Sequence, residues 1–120
     1  MKVAVTAQGR DLASPVDLRF GRADYFLLID SETGEFAAYD NAQNRNTLQG
    51  AGIQAAQKLV HLGAQTVLTG NVGPKAFATL QAGQVTIYRI AAGTVQQAME
   101  QWLAGSLESA AEANVEGHGK

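Results

Sequence analysis

Strand-length runs alone precede residue 41 and helical runs alternate with strands after it, and that order restricts the fold more than any single motif does. Ahead of residue 41 stand three apolar runs of strand length, Lys2–Thr6, Asp24–Asp30 and Glu35–Asp40. The last two are joined by Ser31-Glu32-Thr33-Gly34, a hairpin turn. Beyond residue 41 a polar loop, Asn41–Gln49, leads into alternating helical and strand patterns. Over Gly50–Leu62, the residues Ile53, Ala56, Leu59 and Val60 fall on one face, and Gly63 stands where a helix stops. Thr66–Thr69 reads as a strand, Pro74–Ala82 as a helix closed by Gly83, and Val85–Ile90 as a fifth strand. Thr94 and Gln97 have capping-box spacing, and Val95, Ala98, Met99, Trp102 and Leu103 give the helix behind them an apolar stripe.

The order β-β-β-α-β-α-β-α has one simple assembly. The hairpin sets the second strand antiparallel to the first and third, whereas right-handed βαβ crossovers make the later strands parallel. The expectation is a single-domain α/β fold over residues 1–105, a mixed five-stranded sheet with helices on both faces in a ribonuclease H-like topology. A flexible C-terminal tail is expected over residues 106–120. In this arrangement Gln8–Ser14, Arg19–Arg22, Asn41–Gly52, Gly70–Lys75 and Ala91–Thr94 open on one edge of the sheet. That edge is where open α/β sheets hold ligands.

Val67–Phe77 brings a buried strand, a glycine turn and a helix start to this edge. Gly70 and Gly73 are expected to supply backbone angles closed to other residues, and Pro74 suits the first helical position. The amides of such a helix start carry partial positive charge and attract anions, and Lys75 adds a full charge. Arg19-Phe20-Gly21-Arg22 places two more cations at the same edge. The alternative for these arginines is pairing with Asp17 and Asp24.

Several chemistries are excluded. Cysteine is absent, which removes disulfides, thiolate catalysis and cysteine-ligated clusters, and His61 and His118 are the two histidines. His61 falls late on a helix, away from the edge, and His118 falls in the tail. Met99 and Trp102 read as core. Two-metal nuclease chemistry needs carboxylates meeting at the sheet, and neither Val3–Thr6 nor Thr66–Thr69 carries one. No G-x-S-x-G or Walker pattern is present. Gly50-Ala51-Gly52-Ile53-Gln54-Ala55 formally fits G-x-G-x-x-A, yet it does not follow its strand directly and no ribose-binding acid ends the next strand. Gly50 and Gly52 serve either close helix packing or an anion site lined by amides. A net charge of −2 gives no general attraction to nucleic acid or membrane. No apolar run is long enough to cross a bilayer, and Met1-Lys2-Val3 runs straight into a strand, so a cytoplasmic address is expected. What is left is a basic, thiol-free pocket with Phe20, Leu48, Val72 and Pro74 as apolar walls. It suits a bulky, weakly hydrated anion held without protein–metal bonds.

Arg19-Phe20-Gly21-Arg22-Ala23-Asp24-Tyr25-Phe26, Gly50-Ala51-Gly52 and Gly70-Asn71-Val72-Gly73-Pro74-Lys75-Ala76-Phe77, in this order, resemble the dinitrogenase iron–molybdenum cofactor family over roughly residues 1–105. That family includes small carriers of nitrogenase cofactor precursors. Its usual pattern has His before Phe-Gly-Arg, where this chain has Arg19. With cysteine also absent, the chain looks most similar to members that hold a molybdenum–copper sulfide cluster non-covalently. The resemblance implies a non-catalytic carrier of such a cluster, or of an iron–molybdenum cofactor precursor, and partnership with Mrp/MinD-type ATPases in a complex linked to cell division. The site residues it points to are Arg19, Gly21, Arg22, Gly50, Gly52, Asn71, Gly73, Pro74 and Lys75, with no direct metal coordination. The competing reading is a protein–protein interaction module without an obligatory cofactor. A nucleotide-binding or hydrolytic enzyme is the weakest alternative.

Overall fold

Asp30 is where the chain first turns back on itself. Its carboxylate accepts the amides of Glu32 and Thr33 at 2.9 and 3.4 Å, and Gly34 takes φ +80°, an angle glycine adopts without strain. The computed structural model describes residues 1–42 and 50–111. Its strands are β1 (Lys2–Ala7), β2 (Tyr25–Asp30), β3 (Phe36–Asp40), β4 (Thr66–Thr69) and β5 (Thr86–Arg89). Its helices are α1 (Ala51–His61), α2 (Pro74–Ala82) and α3 (Val95–Leu103). The expected Asn41–Gln49 loop falls mainly on residues 43–49, outside the described residues, and so do Leu48 and His118.

The five strands form one mixed sheet in the order β3-β2-β1-β4-β5, with the hairpin strands antiparallel and β1, β4 and β5 parallel. This is the expected topology. Alternation along β1 divides its apolar residues between two cores. Ala4 packs with Leu59 of α1 and with Phe77 and Leu80 of α2, while Val3 and Val5 pack with Val95, Ala98 and Met99 of α3. Two helices therefore cover one face and a single helix the other. Fully burying Leu59 and Leu80 contributes roughly 2 kcal/mol each.

Several expectations need correction. Leu103, assigned to the apolar stripe of α3, is 63 % exposed, and Ile53 is half-buried and faces the edge of the sheet. Gly83 does close α2 as expected, at φ −86°, and the left-handed angle belongs to Gln84 at φ +62°. Close packing accounts for Gly83, where a Cβ would stand 2.6 Å from Val60 Cγ2. The tail does not leave the sheet at residue 106. Arg89 N donates to Glu108 O and Ala110 N to Ile87 O, so this stretch lines the outer edge of β5. Leu107 and Ala110 each add to a core, a stabilisation that polar composition alone conceals.

The expected gathering of loops on one edge divides in two, because α3 lies on the opposite face from α1 and α2. Residues 8–16 run to α3. Pro15 pairs with Thr94, Val16 N donates to Gly93 O, and Ser14 O and Leu12 O accept the amides of Val95 and Gln96. Ala91–Thr94 goes with them, whereas Arg19–Arg22, Gly50–Gly52 and Gly70–Lys75 meet beside the starts of α1 and α2.

Candidate functional site

Thr6 and Thr69, buried at the ends of β1 and β4, share a hydrogen bond of 2.8 Å. Thr6 Oγ1 also bonds to Asp17 O, and Asp17 N donates to Thr6 O at 2.9 Å. These bonds bind the loop after β1 to the sheet and bury Asp17. Its carboxylate is met by Arg19, whose backbone N and Nε donate to Oδ1 at 3.0 Å and whose Nη2 donates to Oδ2 at 2.9 Å. The paired carboxylate raises the Arg19 pKa further above its ordinary value and holds the guanidinium charged. The Asp17 pairing weighed as an alternative for Arg19 is therefore real. Nε and one Nη hydrogen take part, which leaves three of the five guanidinium N–H donors outside the fork.

From Arg19 the chain crosses the end of the sheet as a strap. Phe20 N donates to Asn71 O at 3.2 Å, and Asn71 N donates to Leu18 O at 2.7 Å. Phe20 is buried against Phe26, with ring centroids 5.9 Å apart. Asn41, itself buried, donates Nδ2 to Gly21 O at 3.2 Å and to Ala23 O at 2.8 Å, and its buried Oδ1 has no partner among the described residues. Sequence reasoning missed this residue. A lone Asn after a strand reads as loop, and only burial shows that it holds the strap.

The glycines bring three segments together. A Cβ on Gly21 would stand 2.7 Å from the backbone of Gly52, and one on Gly70 would stand 2.7 Å from Leu18 O. Neither Gly70 nor Gly73 has a positive φ, so the expected special backbone angles are not the reason for these two residues. Gly70 is required by the close approach of Leu18. Gly50 does take φ +78°, at the N-cap of α1.

Between the strap and the starts of α1 and α2 opens a cavity of about 730 Å³. All nine residues singled out from the sequence line it, together with Phe20, Ala51, Ile53 and Ala76. Its electrostatics follow from the helix ends. Neither α1 nor α2 has a side-chain cap or an acid in its first turn. The first bonds of each helix run from Gln54 N to Gly50 O and from Phe77 N to Gly73 O, so earlier amides of both starts lack intrahelical acceptors. The dipoles add roughly half a positive charge per helix, beside Arg19, Arg22 and Lys75. The start of α3 is different. There Thr94 Oγ1 accepts from Gln97 N at 3.1 Å and Gln97 Oε1 from Thr94 N at 2.9 Å, the expected capping box, and the loop carbonyls at Leu12 and Ser14 take two further amides. Among the described residues no group of three or more His, Cys, Asp or Glu side chains could hold a metal ion. His61 is exposed on the last turn of α1. Among these residues no helix is long and apolar enough to cross a membrane.

The chain matches the family model described as dinitrogenase iron-molybdenum cofactor over residues 1–105, and it belongs to that family. Its fold is similar to the apo form of the orange protein from Desulfovibrio gigas, at 43 % identity and a TM-score of 0.92, covering 95 % of this chain and 96 % of that one. It is also similar to a putative NifB protein from Thermotoga, at 38 % identity and a TM-score of 0.85, covering 97 % and 98 %. An uncharacterized protein of Methanocaldococcus jannaschii is 27 % identical over 110 residues, 90 % of each chain.

Proposed function

We propose that the chain is a non-catalytic carrier of an anionic metal–sulfur cluster, of the molybdenum–copper sulfide kind or related to the iron–molybdenum cofactor. The observation that carries this reading is the donor set of the cavity. It joins three cationic side chains and two helix starts without side-chain caps to apolar surface from Phe20, Ile53 and Pro74. Such a set favours a large anion with diffuse charge, bound by N–H donors and dispersion. The described residues that line it offer no thiolate or imidazole to replace a cluster's own sulfides. Arg22 and Lys75 would balance charge, the amides around Gly52 and Lys75 would donate, and Gly21, Gly52 and Gly73 would leave room for close approach. Family membership and the likeness to the orange protein support the same reading.

The test is to mix purified protein with tetrathiomolybdate and a copper salt, desalt it, and measure the visible spectrum and metal content. Retained colour with stoichiometric Mo and Cu, lost in Arg22→Ala/Lys75→Ala, is the expected result. Colourless, metal-free protein after desalting would refute the carrier reading and leave the interaction module in its place.

A further inference from the structure

Gly73 differs from the other glycines of the cavity. Gly21 and Gly52 are hemmed in, with would-be Cβ atoms 2.7 Å from backbone and 3.2 Å from Ala76 Cβ respectively, and Gly50 needs its positive φ. Gly73 has φ −72° and ψ 166°, angles open to any residue, and a Cβ there would meet none of the described residues within 4 Å. Neither strain nor packing among the described residues requires glycine. The position is moreover the N-cap of α2, where Ser in this conformation would accept an amide of the first turn and stabilise the helix. The chain forgoes that stabilisation at a point lining the cavity, while at α3 it uses a complete capping box.

We infer that Gly73 is the contact floor of the site, and that it selects for polynuclear metal–sulfur anions over mononuclear ones. This rests on the carrier reading. A cavity of about 730 Å³ is far larger than a single tetrahedral anion, which can sit clear of this floor beside the cationic side chains. A polynuclear anion would fill more of that volume and would be held against Gly73 and the amides beside it. A side chain there occupies the space the larger anion needs. One added group in a close-packed contact costs about 1–3 kcal/mol, roughly a 5- to 150-fold loss of affinity.

The experiment compares wild type, Gly73→Ser and Gly73→Ala for binding of tetrathiomolybdate alone and of tetrathiomolybdate with copper(I), alongside thermal unfolding. Gly73→Ser should raise Tm by about 1–2 °C through the new cap, and Gly73→Ala should not raise it. Both should lose at least about tenfold in retention of the Mo–Cu species while binding tetrathiomolybdate within about threefold of wild type. Loss in both variants, including the one that is stabilised, separates a steric floor from a folding defect. Wild-type retention of the Mo–Cu species by Gly73→Ser, or equal loss of both anions, overturns the inference and leaves the carrier reading standing. A wild-type protein that retains neither anion overturns both.

Discussion

Arg19 is held by a carboxylate that the fold buries, so its removal should be felt in stability before any ligand is added. The Asp17 side chain is 2 % exposed and the Arg19 side chain 62 %, with Nη2 to Oδ2 at 2.9 Å. At that distance two unit charges attract by about 1.4 kcal/mol in bulk water and about 6 kcal/mol at an effective dielectric constant near 20. The exposed guanidinium draws the value towards the aqueous end, and ordering a long side chain subtracts from it. Leaving the Asp17 carboxylate without its charged donors adds a desolvation penalty. We expect Arg19→Ala to cost about 2 kcal/mol. With an unfolding entropy near 2.1 cal/mol/K per residue over 120 residues, that is a fall in Tm of about 8 °C. Asp17→Asn/Arg19→Ala should recover at least about half of the loss, because the neutral amide is cheaper to bury. The assay is urea unfolding of wild type, both single variants and the double variant at pH 7. A coupling energy below about 0.5 kcal/mol would show that the fork is a surface ion pair of no consequence and refute the argument.

Three further outcomes are expected. Gly21→Ala should lower Tm by roughly 4–12 °C, because its Cβ would press to 2.7 Å on the Gly52 backbone and move either the strap or α1, at about 1–3 kcal/mol; an unchanged Tm would mean that the two segments separate freely. Asn41→Ala removes the donor to Gly21 O and Ala23 O but also a buried Oδ1 with no partner among the described residues, so chemical denaturation should show a net loss of about 1–2 kcal/mol rather than that of two full hydrogen bonds. Asp30 is held below its usual pKa first by the Glu32 amide, so its contribution exists above the unfolded value near 3.9 and disappears as pH falls through the lower folded value. Asp30→Asn should therefore be less stable than wild type at pH 7 and approach it by pH 2, and Tm profiles that stay parallel across that range would contradict this.

Gly34 and the Thr94–Gln97 pair behave as their local patterns indicate, because turn and cap chemistry depends on residues within four positions. Strand order follows from the hairpin and from right-handed crossovers, which is why the sheet topology was legible from the order of elements. Burial was less legible. Ile53 and Leu103 fit helical stripes yet lie at the rims of their interfaces, since periodicity tells which face turns inward and not where the covering element ends.

The sequence alone determined the elements, their order, and a cationic, cysteine-free set of nine residues bound for one end of the sheet. Tertiary structure decided how the segments around them are held. Residues 8–16 went to α3, Arg19 took Asp17 as partner, Asn41 became the support of the strap, and the turn at Gly70 proved to be glycine because Leu18 passes beside it. Gly73, in the same turn, would place a Cβ within 4 Å of none of the described residues. The physical reason is range: periodicity and turn chemistry are written in near neighbours, whereas close approach and burial arise between segments some 20 to 50 residues apart that only the packed sheet brings into contact.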